Sequence, residues 1–205
     1  MKKEHALPTK IIDDFFEIPS VWRHYALKQE YTRDVNHATY AGIRTSTLDV
    51  MSEDLFHKFA SKIMPHLAGY TYFQSLQVNF TSVDGSYGQG WIHDDEPKWN
   101  VAGIIYLNPN PPPNSGTLFY KQISEFDHDY GQIFFEELNA KPEDRAPYQK
   151  YKLEQKSSFR KILTVGNVYN RCVIFNPALY HSADTYFGDT FETSRLTINF
   201  FGHAK

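Results

Sequence analysis

The sequence predicts a mainly β protein of α+β type, a sandwich or jelly roll with a helical wrapper at its N-terminal end. Three observations point there. From residue 70 onward, short runs rich in Tyr, Phe, Val and Thr alternate with Gly, Pro, Asn and Asp turn signals. The two clear amphipathic helical patterns both precede residue 70. Finally, 33 of the 205 residues are Phe, Tyr or Trp, enough to fill the core of one such domain.

Taken in order, residues 1–10 read as a loosely docked end, followed by Ile11-Ile-Asp-Asp-Phe-Phe16. Pro19 suits the first turn of a helix on which Val21, Trp22, Tyr25 and Ala26 share a face. A short strand is expected over 42–48. The second helix carries stronger signals. Ser52 caps it, Glu53 and Asp54 favour the positive end of its dipole, and Gly69 stops it. Its stripe is Phe56, Phe59, Ala60, Ile63, Met64 and Leu67. Strands are expected over 70–83, 91–95, 101–107, 116–120, 159–165, 172–176 and 195–201. Asp84-Gly85-Ser86, Gly166-Asn167 and the loop 108–114, which contains Pro111-Pro112-Pro113, separate several of them. Residues 121–158 break this rhythm, being charged, polar and Tyr-rich with one helix expected inside. A connection of that length reads as a lid-like insertion. Its aromatic residues, Tyr130, Phe134 and Tyr148 among them, suit a substrate groove or a subunit contact. The organisation expected is one domain over 1–205, with 1–69 wrapping a β core over 70–205.

Composition excludes several classes. With 21 basic and 24 acidic residues the net charge is −3, and no basic block tracks a phosphate backbone, so no nucleic-acid partner is expected. No apolar run reaches membrane-spanning length and no secretory signal is recognisable, so no membrane association is expected. Cys172 is the single cysteine, which fits a reducing compartment and an expected cytoplasmic location. Glycine-rich dinucleotide and phosphate loops, Gly-x-Ser-x-Gly, Cys-x-x-Cys and His-Glu-x-x-His are all missing. Dehydrogenase, kinase, serine-hydrolase and zincin readings therefore have no motif. Oligomeric state leaves no mark on the sequence.

The chemistry concentrates in Trp91-Ile92-His93-Asp94-Asp95 and, far along the chain, Asn176-Pro-Ala-Leu-Tyr-His181. In extended backbone, residues two apart share a face, so His93 and Asp95 converge while Asp94 turns away. His181 is expected at the end of the apolar strand 172–176. Two imidazoles and one carboxylate on one face make the facial triad of a non-haem Fe(II) centre, with positions left open for substrate and O2. A closed zinc site wants four protein ligands, whereas a catalytic three-ligand zinc stays open. Fourteen residues after His181 comes Arg195, and Arg195, Thr197 and Asn199 alternate with Leu196, Ile198 and Phe200. Pointed into a barrel, that guanidinium needs an anion to meet it, and a dicarboxylate supplies one through bidentate pairing.

These residues together resemble the Fe(II)- and 2-oxoglutarate-dependent dioxygenases, whose core is a double-stranded β-helix, a cupin-like jelly roll. The resemblance covers roughly residues 70–205 and is strongest to the prolyl-hydroxylase-like branch, or to an uncharacterised relative of it. His93, Asp95, His181 and Arg195 follow the family order, Ile105-Tyr106-Leu107-Asn108 matches the strand after His-x-Asp, and Ser115-Gly116-Thr117-Leu118 is similar to the Gly-rich strand. The resemblance implies Fe(II) on His93, Asp95 and His181, with these three as the catalytic residues. It implies 2-oxoglutarate on Arg195, helped by Tyr106 and Thr197. Where the branch often has a Tyr on the cosubstrate this chain has Thr81, and Asn79 is the substitute expected. The reaction implied is an O2-dependent hydroxylation of a protein side chain, prolyl-type, or of a small molecule, with succinate and CO2 as coproducts. Family halogenases lack the carboxylate that Asp95 supplies, which points away from halogenation.

Three other readings stand beside this one: a non-catalytic β-helix that binds a ligand or partner, a cupin-like metalloenzyme without 2-oxoglutarate, and a nucleobase demethylase, against which the acidic balance counts. His57 and His66 read as helix-boundary residues. His24 and His37 have no ligand at useful spacing, and Asp127-His128-Asp129 reads as a solvated charge cluster.

Overall fold

The computed structural model describes residues 9–33, 40–95, 97–125 and 130–205. The first part of the chain forms β1 (Lys10–Ile12), α1 (Pro19–Leu27), β2 (Ile43–Arg44), α2 (Leu48–Met51), α3 (Glu53–Ile63) and β3 (Phe73–Val83). There follow β4 (Val101–Tyr106), β5 (Thr117–Gln122), α4 (Tyr130–Asn139) and α5 (Tyr148–Ser157). The last strands are β6 (Phe159–Val165), β7 (Cys172–Phe175), β8 (Tyr180–Ala183) and β9 (Arg195–Ala204). The fold is thus mixed α+β. Its strands make two antiparallel sheets, a six-stranded one ordered β1-β7-β4-β9-β3-β2 and a three-stranded one ordered β6-β5-β8.

The period of two along each strand divides the large sheet into an outer apolar face and an inner face that mixes polar with apolar side chains. Outward go Val78, Phe80, Ile105, Ile198 and Phe200, which form one buried cluster with Phe16, Phe59 and Ile63 of the N-terminal segment. Aromatic packing fixes that layer. Trp22 of α1 stacks on Phe16 at 4.2 Å between centroids, and Phe59 of α3 meets Phe200 edge-on at 5.4 Å. The Ser52 hydroxyl accepts from the Leu55 amide at 3.4 Å, the cap that its position predicts. The inner face, carrying Thr81, Arg195 and Asn199, is left for the cavity beneath.

Several elements depart from expectation for identifiable reasons. Of the loose end expected over 1–10, Lys10 is instead docked, because Lys10–Ile12 pairs with β7, and the Arg171 guanidinium grips both oxygens of Asp13 at 2.6 and 2.9 Å. Residues 1–8 lie outside the described residues. The strand expected over 42–48 shrinks to two residues before the chain turns into α2. Gly42, at φ +78°, makes this approach workable, since a Cβ there would overlap the Ser82 carbonyl oxygen. The strand expected over 91–95 reduces to one bridge, His93 with His181. His181 does not end the strand 172–176; the turn at Asn176 carries it into β8, a strand of the other sheet. The insertion holds two helices, α4 and α5, where one was expected.

Candidate metal and 2-oxoglutarate site

The small sheet gathers the three candidate ligands. His181 lies in β8, and His93 docks on that strand by a reciprocal pair of backbone bonds, His93 N–H to the His181 carbonyl at 3.0 Å and the reverse at 2.8 Å. The Asp95 amide donates to the Pro177 carbonyl at 2.9 Å, which holds the next turn of chain against the same edge. One potential ligand atom from each of His93, Asp95 and His181 lies within 4.8 Å of the others. The two imidazole centroids are 4.4 Å apart, and His181 Nε2 is 3.7 Å from Asp95 Oδ2.

Tautomers follow from the partners. His93 Nδ1 faces the Trp91 carbonyl at 3.0 Å and His181 Nδ1 faces the Leu179 carbonyl at 2.8 Å. A carbonyl only accepts, so each Nδ1 carries the proton and each Nε2 keeps its lone pair for a metal. Burial, aided by the neighbouring His93, pushes the His181 pKa down to about 3, so its ring is neutral at ordinary pH. Two imidazole nitrogens and one carboxylate fit a divalent first-row ion with open coordination positions, and iron(II) suits that donor set.

Across the cavity the large sheet presents its polar groups. Arg195 opens β9, is only 4% exposed, and spends its Nε on the Ser115 carbonyl at 3.1 Å. Among the described residues no carboxylate forms a salt bridge with it, so the surface ion pairs conceivable with Asp189 or Glu192 are not made. Tyr106 pairs with Thr197 across β4 and β9, and the Arg195 guanidinium carbon lies 5.4 Å from its ring centroid. The Tyr106 hydroxyl shares a 2.7 Å hydrogen bond with Thr117, which ties the large sheet to β5. Burial raises the Tyr106 pKa while Arg195 opposes the rise, so the phenol stays protonated. Thr197 donates to Asn199, whose amide donates to Thr81. Asn79 has its amide donating to the Thr45 carbonyl at 2.9 Å and its oxygen accepting from Gln77. On that strand the cavity wall is made by Gln77, Thr81 and Val83.

A cavity of about 690 Å³ joins these groups, lined by His93, Asp95 and His181 on one side and by Thr117, Arg195 and Asn199 on the other. The insertion closes part of it. Tyr130 and Phe134 of α4 reach the wall beside Trp91, at 5.8 and 6.2 Å between centroids. The α5 helix braces the approach to His93 from outside. Gln155 brackets Ile92, accepting from its amide and donating to its carbonyl, both at 2.9 Å. Lys152 and Glu137 form a buried ion pair at 2.5 Å, with Lys152 also donating to the Tyr87 carbonyl and Glu137 accepting from the Trp91 indole. Sequence reasoning missed Arg44, Gln155 and this ion pair. Thr117 was within a recognised motif, but its bond to Tyr106 needs the two sheets together. His37 and His128 lie outside the described residues.

Similar solved structures share this fold. HygX from Streptomyces hygroscopicus, with nickel, 2-oxoglutarate and hygromycin B bound, gives a TM-score of 0.56 at 11% identity over 95% of this chain and 82% of that one. A Pseudomonas putida prolyl-4-hydroxylase gives 0.52 at 12% identity over 95% and 92%. A prolyl 4-hydroxylase of Phytophthora capsici gives 0.53 at 13% identity over 96% and 58%. The fold is therefore shared with these structures, and two antiparallel sheets around three candidate metal ligands are consistent with it. No curated protein matches the chain by sequence. Among the described residues no helix is long and apolar enough to cross a membrane. A family model spans residues 2–202, and the chain belongs to that family, DUF6445, described as a family of unknown function.

Proposed function

We propose that the protein is an Fe(II)- and 2-oxoglutarate-dependent oxygenase that hydroxylates its substrate, within a double-stranded β-helix formed by one domain. The observation that carries this reading is the meeting of His93, Asp95 and His181 with a buried, carboxylate-free Arg195 in one cavity. When bound, iron and 2-oxoglutarate supply the oxidation that moves one oxygen atom of O2 into a substrate C–H bond, with succinate and CO2 as coproducts.

The chain's own residues bind and orient. His93 and His181 offer Nε2 because their Nδ1 protons are held by carbonyls, and Asp95 offers a carboxylate oxygen. Arg195 clamps the distal carboxylate of 2-oxoglutarate, and Tyr106 and Thr197, buried behind the lining, support that end of the cavity through Thr117 and Asn199. Thr117 holds the Tyr106 hydroxyl in place from the opposite sheet. Phe175, Phe201 and Ile104 on the cavity wall limit the water that reaches the centre. The substrate is a protein side chain of prolyl type or a small molecule; the similar prolyl-4-hydroxylases and hygromycin-bound HygX support one alternative each.

Calorimetric titration of chelator-stripped protein, first with Fe(II) under argon and then with 2-oxoglutarate, tests the assignment. One metal per chain followed by one metal-dependent 2-oxoglutarate is expected. Binding of 2-oxoglutarate that is indifferent to metal, or to Arg195→Ala, contradicts it.

A further inference from the structure

Arg44 is a second guanidinium on the cavity wall, and nothing in the oxygenase reading uses it. It belongs to β2, the edge strand of the large sheet. Registers run Tyr106 to Thr197, Thr197 to Thr81 and Thr81 to Arg44, so these four residues form one row across β4, β9, β3 and β2. Directly opposed residues share a face, so Arg44 is on the inner face with Tyr106. At about 4.8 Å per strand, the row carries Arg44 roughly 14 Å from Tyr106, while Arg195 faces Val83, two residues along β3 from the partner of Arg44, and Tyr186 lies near both guanidiniums.

The side chain is built to meet something. Its guanidinium carbon sits over the Tyr40 ring at 3.6 Å, a contact that holds the group in place on the cavity wall. Its Nε is sealed from solvent without a hydrogen-bond partner. Among the described residues its guanidinium makes no hydrogen bond or salt bridge, although Asp95 and Tyr186 are near enough to influence its charge. A buried donor left without an acceptor is costly, and such a group persists where a ligand completes it.

Charge balance says what that ligand is. In the oxygenase reading, Asp95 and one carboxylate of the cosubstrate meet the dication, and Arg195 meets the other carboxylate. Lys152 is answered by Glu137 within the wall. Asp94 also lines the cavity, but it is open to water and makes no salt bridge among the described residues. Among the described residues Arg44 is left on the cavity wall with no carboxylate salt-bridged to it, since Asp95, which acts on its charge, is taken up by the dication in that reading. Resting on that reading, we propose that Arg44 recognises a carboxylate of the substrate, which makes the substrate an organic acid or a chain end rather than a neutral side chain. The cavity, at about 690 Å³, is of a size for such a ligand.

The test uses zinc-loaded, 2-oxoglutarate-bound protein, in which no turnover competes with binding. A panel of N-acetyl amino acids is titrated as free acids and as carboxamides, against wild type and Arg44→Gln, with Arg195→Ala alongside. Wild type is expected to favour acids over amides by at least tenfold, and Arg44→Gln to lose that preference while keeping zinc and 2-oxoglutarate affinity within about twofold. The Arg44→Gln protein, metal-loaded, is expected to melt no lower than wild type, because it sheds an unsatisfied buried donor. Lack of acid–amide discrimination in wild type overturns the proposal. So does a loss of 2-oxoglutarate binding in Arg44→Gln equal to that in Arg195→Ala, which reassigns Arg44 to the cosubstrate. A drop in melting temperature of more than a few degrees overturns it as well, since Arg44 is then a structural residue. Failure of wild type to bind metal or 2-oxoglutarate is read before any probe is added, and it removes the oxygenase reading itself.

Discussion

At the scale of single residues, the site depends on which nitrogen of each imidazole is free. The Trp91 and Leu179 carbonyls hold the Nδ1 protons of His93 and His181, so each ring keeps its Nε2 lone pair available to a metal in the proposed site. Asp95→Ala and His181→Ala are each expected to abolish stoichiometric Fe(II) binding, read by calorimetry, with the fold retained in circular dichroism. Arg195 acts at the other end. Arg195→Ala is expected to weaken 2-oxoglutarate by at least tenfold, a loss of about 1.4 kcal/mol or more, while leaving Fe(II) affinity unchanged. Equal loss of both ligands in that variant would place Arg195 in the structural frame instead. Asn79, bonded to Thr45 and Gln77, is expected to tolerate Ala with little change in 2-oxoglutarate affinity.

At the scale of elements, α5 is a brace as much as a lid. Its Gln155 makes two hydrogen bonds to Ile92 that a neighbouring strand would otherwise make, and His93 is the next residue. Gln155→Ala is expected to lower metal affinity by roughly 10-fold to 100-fold, the range for partners that orient a ligand. Faster hydrogen exchange at the Ile92 amide is the accompanying readout. The Lys152–Glu137 pair, buried at 1% exposure on both sides, braces α5 against α4. Lys152→Met leaves Glu137 charged and unanswered, for an expected destabilisation of about 3–5 kcal/mol, and adding Glu137→Gln is expected to recover most of it. The brace also shows why the insertion was only half legible. Gln155, Lys152 and Glu137 carry no short-range pattern, because their partners at Ile92, Tyr87 and Trp91 lie 46 to 65 residues away. The Ser52-capped helix and the strands over 101–107 and 159–165 were readable because capping and alternation are local. His-x-Asp, the distal His and Arg195 were readable through their order. The identity of β8 was not, since four residues after a proline turn give too short a pattern to tell a new strand from the end of the old one.

At the scale of the whole molecule, the two faces of the large sheet divide the work. The outer face, with Phe80, Ile198 and Phe200, packs on α1 and α3 and supplies stability; the inner face supplies Arg195, Asn199 and Thr81 to the cavity. Truncating the fully buried Phe59 therefore separates the two. Phe59→Ala is expected to cost about 3–5 kcal/mol in denaturant unfolding and to leave metal affinity unchanged. A parallel loss of metal affinity would show that the helical layer sets the site geometry directly. The central claim, that one cavity joins an iron triad to a 2-oxoglutarate clamp, is tested most directly by anaerobic visible spectroscopy. Apo-protein is titrated with Fe(II) and then with 2-oxoglutarate, with His181→Ala and Arg195→Ala alongside. A new metal-to-ligand charge-transfer band on adding 2-oxoglutarate, missing in His181→Ala and requiring higher 2-oxoglutarate in Arg195→Ala, is the predicted result. Tight Fe(II) binding with no band at saturating 2-oxoglutarate would contradict it and leave a metal site that does not use this cosubstrate.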